Sequence, residues 1–166
     1  PPAVEHIHGD PHFLETIVES LDGRTFDLAI ATYGRIRLLA EALKGKVGRI
    51  ISVGGVAAYR GYPEPQRLSP AGMPSPIGED AAVVDDEHEH RFSFLIAQTE
   101  RAVFEHHPEA AHFRYPYVYG PRQLVPREWS VVRRIRDGRR RIIVADGGLS
   151  LVTHGFAGNL AHSVLL

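Results

Sequence analysis

Cysteine is entirely absent from this sequence. Disulfide bonds, zinc–thiolate sites and cysteine nucleophiles are therefore excluded. No apolar run reaches the roughly 18 residues that a membrane span needs. Residues 1–5 show no basic stretch followed by an apolar one, which is the pattern of a secretory signal peptide. These features predict a cytoplasmic protein with no membrane partner.

An excess of charge of one sign is also lacking, since the formal net charge is −1 over 166 residues. The apolar and charged fractions, 43% and 23%, are ordinary for one globular domain. The near-neutral balance weighs against a broadly basic nucleic-acid surface and leaves room for a local basic patch. The histidine clusters at residues 88–90 and 106–107 lack the H-E-x-x-H spacing, so no metal site is predicted.

Apolar periodicity predicts strands that alternate with helices along the whole chain. Asp10 is the predicted N-cap of the first helix, with Pro11 at its first position and Gly23 beyond its end. The predicted strands span residues 4–8, 26–32, 47–53, 112–116 and 141–144, and the later helices span 35–43, 85–107, 127–137 and 155–166. The short apolar run at 26–32 indicates a strand buried on both faces.

This alternation predicts a single α/β domain of Rossmann-like type, with three layers and a mostly parallel sheet. Ligands bind at the carboxyl ends of the strands in such sheets. The turns that follow Thr32, Val53 and Pro116 are therefore expected to meet along one crevice.

Several segments near these turns resemble one known family. Residues 113–123, with the sequence FRYPYVYGPRQ, are similar to the Arg-Pro-x-x-Val-Tyr-Gly-Pro-Arg signature of the extended short-chain dehydrogenase/reductase family, of the NAD-dependent epimerase/dehydratase type. Residues 51–59, ISVGGVAAY, resemble the family's Ser-Ser-x-x-Val-Tyr-Gly turn. Gly9-Asp10 resembles the Gly-Asp after its third strand. The match in order and spacing extends along nearly the whole chain.

The resemblance implies a nucleotide cofactor, NAD or NADP, and a nucleotide-linked or small polar substrate. Tyr119 and Arg122 would contact the substrate. A homodimer through the helices that begin near Arg35 and Arg91 is also implied. The residues implied in cofactor binding are Asp10, Ala31, Thr32, Tyr33, Val53, Gly54, Tyr115, Pro116 and Val118.

The chain departs from the family at its catalytic positions. Gly55, Phe92 and Ile96 stand where the family has serine, tyrosine and lysine, and none of them transfers a proton. Phe92 and Ile96 share a helix face, which favours core packing over a remodelled active site. The titratable residues near the predicted crevice are Tyr33, Tyr59, Tyr117 and His154, and the sequence does not choose among them.

A second departure is the missing G-x-x-G-x-x-G loop, whose amides hold a pyrophosphate in the family. The chain begins at what resembles the third strand, which predicts a fragment of a longer protein. An intact mass equal to the chain's 18.4 kDa would contradict that prediction.

A non-catalytic binding or regulatory module is the alternative function. Residues 128–159 are similar to chloroplast stem-loop RNA-binding relatives of the family, which implies phosphate contacts from arginine. Arg122 is the strongest phosphate candidate, and a solvated face is the simpler interpretation of the others. The arginines concerned are Arg122, Arg127, Arg133, Arg134, Arg136, Arg139, Arg140 and Arg141.

Overall fold

A computed structural model describes residues 4–32 and 34–166, apart from the side chain of Asp146. The chain groups into two compact units. The first ends at Arg114, and the second is Tyr115–Leu166.

The first unit contains a three-stranded sheet and three α-helices. The strands are β1 (Phe26–Ala31), β2 (Val47–Gly55) and β3 (Ala111–Tyr115), ordered β1-β2-β3. The helices are α1 (Leu14–Leu21), α2 (Ile36–Ala42) and α3 (Arg91–His106), with 3-10 turns at Val56–Ala58 and Pro65–Arg67. β1 and β2 are parallel, with Ala31 opposite Ser52. The predicted α/β architecture with parallel strands is therefore confirmed.

The core of this unit lies between the sheet and the helices α2 and α3. Its buried side chains are Ala31, Ile36, Ala40, Leu43, Ile50 and Val103. After α2 the chain turns at Gly45, whose φ is +71°. Glycine adopts this conformation at little cost in free energy. His107 at the end of α3 contacts the Ala40 carbonyl oxygen through Nε2 at 2.8 Å, which ties the two helices together.

The second unit is smaller. It contains β4 (Tyr117–Tyr119), α4 (Trp129–Arg136), a 3-10 turn at Ala145–Gly148, β5 (His154–Phe156) and α5 (Ala157–Val164). β4 and β5 pair in parallel. The Tyr115 hydroxyl donates to the Leu160 carbonyl at 2.5 Å and lies 3.1 Å from the Ser163 hydroxyl, which fastens α5 to the chain entering β4.

Two predictions at the beginning of the chain are wrong. Residues 4–10 form no strand. Asp10 is not the N-cap of α1, because that helix begins at Leu14 with Phe13 at its N-cap. The Asp10 carboxylate instead accepts a hydrogen bond from the His12 backbone N–H at 2.9 Å. This bond closes a local turn, which competes with helix initiation.

β1 and α3 also differ from expectation. Of the six residues of β1, an edge strand, only Ala31 is buried, so the prediction of a strand buried on both faces is wrong. α3 begins at Arg91, six residues later than predicted from the acidic stretch. Its N-cap is His90, whose ring Nδ1 accepts from the Ser93 N–H at 3.3 Å.

The predicted strand at residues 141–144 is absent, and the partner of β4 is β5. Both strands of this pair are three residues long, which is too short for a period-2 pattern to be visible in sequence. Within the part of the chain that the structure describes, no helix has the length and apolar character required to cross a bilayer.

Candidate functional site

The carboxyl ends of β1 and β2 lie side by side because the strands are parallel. Thr32 follows β1 directly and is exposed, and Val53 to Gly55 complete β2. The loop that contains Asp10 reaches the same place, since the Arg35 N–H donates to the Pro11 carbonyl at 3.2 Å. We call Asp10, Thr32, Val53, Gly54 and Gly55 the β1–β2 rim.

Asp10 carries the charge of this rim. Its side chain is 52% exposed, and Oδ1 lies 2.9 Å from both the backbone nitrogen and the ring Nδ1 of His12. The hydrogen bonds from His12, first from its backbone and then from its ring, lower the pKa of the Asp10 carboxyl. The second carboxylate oxygen has no hydrogen-bond partner among the described residues, so an ionised acceptor faces solvent at the rim.

A polar network lies beneath the end of β2. The Ser52 hydroxyl lies 2.7 Å from Nδ1 of His112, and Nε2 of that ring lies 3.7 Å from a carboxylate oxygen of Glu100. Arg114 binds both oxygens of Glu100, at 2.8 and 2.6 Å. Its guanidinium carbon also lies 4.7 Å from the centre of the Tyr59 ring. We call these five residues the buried network.

Burial and charge act in opposite directions on this network. Burial disfavours the carboxylate of Glu100, but the hydrogen bonds and charge of Arg114 outweigh it, so the pKa of Glu100 is lowered. The hydrogen bonds to Glu100 raise the pKa of Arg114 above its ordinary value. Burial lowers the pKa of His112, and the nearby Glu100 only partly offsets this. The pair is therefore ionic and His112 is neutral near pH 7.

Serine, histidine and glutamate in one chain of contacts resemble a nucleophilic triad in composition. However, Ser52 is fully buried and the His112 side chain is 1% exposed. A substrate therefore cannot reach the hydroxyl, and the network is structural. The sequence offered one signal for it, because His112 and Arg114 alternate on a short strand where apolar side chains would be usual.

The three positions that the sequence resemblance matched to catalytic residues carry no titratable group. Gly55 is the last residue of β2. Phe92 lies in the first turn of α3 with 62% of its surface exposed, so core packing, the favoured interpretation from sequence, is wrong for this residue. Ile96 lies one turn further and is partly buried.

The titratable candidates that the structure describes differ in their surroundings. Tyr33 lies outside the described residues. Tyr59 is 4% exposed and packs against Arg114, so it belongs to the buried network. Tyr117 and His154 are direct partners on β4 and β5, with ring centres 5.8 Å apart, and both are exposed. Sequence spacing gave no indication that these two would meet.

The remaining predicted contacts lie in the second unit. Val118 and Tyr119 belong to β4, with Tyr115 and Pro116 just before them. Arg122 occupies a turn closed by a hydrogen bond from the Gln123 N–H to the Gly120 carbonyl at 3.3 Å, and its φ is +66°. That left-handed conformation is unusual for arginine and costs about 1 kcal/mol or more.

No metal-binding group of three or more His, Asp or Glu side chains occurs among the residues that the structure describes.

The chain thus has a Rossmann-like α/β fold whose parallel strands β1 and β2 end at one rim. Its structure is similar to that of WbmG, an enzyme of Bordetella bronchiseptica that was crystallised in complex with NAD. The TM-score is 0.69 at 14% sequence identity, and the match covers 99% of this chain and 54% of WbmG. The chain spans about half the length of that protein, and at this identity the likeness establishes the fold alone. No family model matches the sequence. No curated protein matches it either.

Proposed function

We propose that this chain contributes to nicotinamide-nucleotide binding in an atypical protein of the epimerase/dehydratase type. The observation that carries the proposal is the exposed, ionised Asp10 carboxylate held beside the turn after β1 in a Rossmann-like parallel sheet. In such sheets the carboxyl ends of the strands form the ligand crevice. The NAD bound to WbmG supports the choice of cofactor by resemblance.

The residues at the rim fit a nucleotide. The free oxygen of Asp10 accepts a hydrogen bond from a ring amino or ribose hydroxyl group. Gly54 and Gly55 present backbone rather than side chains to a ligand. A nicotinamide nucleotide would supply hydride chemistry when bound. No serine, tyrosine or lysine stands at the positions for proton transfer. The role of this chain's residues would therefore be to bind and orient the nucleotide.

The substrate class in this proposal is a nucleotide-linked or small polar molecule, as the resemblance implies. The same resemblance implies a homodimer, which is also part of the proposal. Phe92 and Leu95, 62% and 39% exposed and three residues apart on α3, support that part of the proposal because they form an outward apolar surface.

A calorimetric titration of the protein with NAD, NADH, NADP and NADPH tests the binding function. Asp10→Ala removes the acceptor and is expected to weaken binding by roughly 10-fold or more, which corresponds to a charged hydrogen bond of about 1.5–3 kcal/mol. Asp10→Asn keeps one acceptor oxygen and the local turn, so its loss is smaller.

Asp22→Asn is the matched control. Asp22 is an exposed aspartate of the same unit with a φ of 47°, a conformation that asparagine tolerates. The Asp22→Asn substitution should leave nucleotide affinity unchanged. Equal affinity of the Asp10→Ala and Asp22→Asn proteins, or no nucleotide binding by the unmodified protein, refutes the proposal.

A further inference from the structure

Four aromatic rings share one face of the short sheet in the second unit. Tyr117 pairs with His154, and Tyr119 pairs with Phe156. Alternate residues of a strand point to the same side, so all four rings lie on one face. The ring centres are 5.8 Å apart in the first pair and 5.6 Å apart in the second. We call these rings the aromatic platform.

The platform is partly covered by α5, because a Cβ at Gly158 in the first turn of that helix would be 2.8 Å from Cε1 of the Phe156 ring. Gly155 lies between the two platform residues of β5 and points to the opposite side, and a Cβ there would meet the Leu160 side chain of α5 at 2.7 Å. The Leu160 side chain of α5 therefore packs on the other face of β5. Tyr117, Tyr119 and Phe156 retain 38–39% of their surface.

Arginine lies directly on the platform. The guanidinium carbon of Arg127 is 4.0 Å from the centre of the Tyr117 ring, which is stacking distance. A guanidinium held over an aromatic ring keeps N–H groups that can bind phosphate oxygens.

Arg127 begins the most basic segment of the chain. Residues 127–141 contain seven arginines and two carboxylates, in a protein whose formal net charge is −1. Among the described side chains these arginines form one ion pair, Arg133 with Asp137 at 3.4 Å. Arg136 lies over the Trp129 ring at 5.8 Å. The segment therefore keeps most of its positive charge, which the net charge of the whole chain conceals.

We propose that the aromatic platform and residues 127–141 bind single-stranded nucleic acid. Aromatic faces stack exposed bases of any sequence, and a neighbouring basic surface follows the backbone. The two ring pairs are about 6.6 Å apart along the strands, from a rise of about 3.3 Å per residue. Bases stack on Tyr119 and Phe156, while Arg127 on Tyr117 contacts the adjacent phosphate. A duplex hides its bases and would leave these rings unused.

Fluorescence anisotropy of labelled oligo(U) and oligo(dT) with the full chain tests this at several salt concentrations. Tyr119→Ala is expected to weaken binding by roughly 5- to 100-fold, the loss of about 1–3 kcal/mol of stacking per base. Tyr119→Phe keeps the ring and the affinity. Arg127→Ala should reduce the slope of log affinity against log salt by about 0.7, the value for one phosphate contact on a single strand.

Arg101→Ala is the control, because Arg101 is an exposed arginine of the first unit. It should change neither affinity nor slope. Circular dichroism of every variant checks that the fold is retained. Equal binding by Tyr119→Ala and Tyr119→Phe overturns the proposal, and so does equal affinity for a duplex of the same length.

Two further results also overturn it. Displacement of the labelled oligonucleotide by mononucleotides at the same nucleotide concentration would indicate that it binds in a nucleotide pocket instead. Binding of phosphatidylserine vesicles without oligonucleotide binding would indicate that the exposed apolar side chains of the second unit meet lipid. A failed titration with NAD leaves this inference untouched, because the platform shares no residue with Asp10 and its rim.

Discussion

Gly54 lies where the backbone of β2 passes directly over the buried His112 ring. A Cβ built at this position would be 2.4 Å from Nε2 and 3.0 Å from Cε1 of that ring, whereas ordinary contacts begin near 3.4 Å. Gly54→Ala therefore requires the ring to move by about 1 Å, the difference between the first and last of these distances. The ring has little freedom to move, because its side chain is 1% exposed and its Nδ1 contacts Ser52 at 2.7 Å.

The expected destabilisation follows from these contacts. Overpacking a core costs about 1–3 kcal/mol, and losing the Ser52 hydrogen bond costs about 1 kcal/mol more. A total of roughly 2–4 kcal/mol lowers the melting temperature by about 5–15 °C in a chain of this size. The total stability of globular domains is about 5–15 kcal/mol, so we expect the variant still to fold. Urea and thermal denaturation followed by circular dichroism measure the loss.

A double-mutant cycle identifies the cause. In a His112→Ala background the ring is absent, so Gly54→Ala should be nearly neutral, with a coupling energy of about 2–3 kcal/mol. Gly9→Ala is the matched control: its Cβ would lie 2.5 Å from the Ser20 hydroxyl oxygen, which a side-chain rotation moves away. Additive effects of Gly54→Ala and His112→Ala, or equal losses for Gly54→Ala and Gly9→Ala, would refute the reasoning.

Two further predictions concern pH and the second unit. Because burial lowers the pKa of His112, the unfolded chain binds this proton more readily, and stability falls as the pH drops through the ordinary histidine value of 6.5. His112→Gln should flatten that part of the stability–pH curve, while Gln at the exposed His8 should not; an unchanged slope in His112→Gln contradicts the assignment. Tyr115→Phe removes the hydroxyl that donates to the Leu160 carbonyl and should cost about 1 kcal/mol. Hydrogen exchange should then accelerate in α5 and stay constant in α2, and equal protection of α5 in both proteins would refute the role of that bond.

The long periodic elements were predictable from the sequence. α2 was expected at residues 35–43 and spans Ile36–Ala42, and β2 was expected at 47–53 and spans Val47–Gly55. Both have strong apolar patterns and end near glycines that mark turns. The beginning of α3 was misplaced because the acidic residues before it form a turn. His90 caps the helix through its ring, a role that propensity does not assign to histidine.

The functional surfaces were less predictable because they depend on contacts between distant residues. Ser52 and His112 are 60 residues apart, and nothing in their local sequence indicates that they touch. Tyr117 was a candidate from its position after a strand, but its pairing with His154 requires a parallel connection between two three-residue strands. Such short strands carry no periodic signal.

The buried network also explains what a ligand would meet at the β1–β2 rim. A Cβ at position 54 would collide with the His112 ring, and Gly55 has no side chain, so these two residues present peptide groups alone. Specific recognition at the rim then depends on the side chains of Asp10, Thr32 and Val53, together with the positions of those peptide groups. Since the His112 ring supports Gly54 from below, displacing it should weaken nucleotide binding as well as stability. Gly54→Ala is therefore expected to reduce nucleotide affinity at temperatures where the protein remains folded, whereas Gly9→Ala is not.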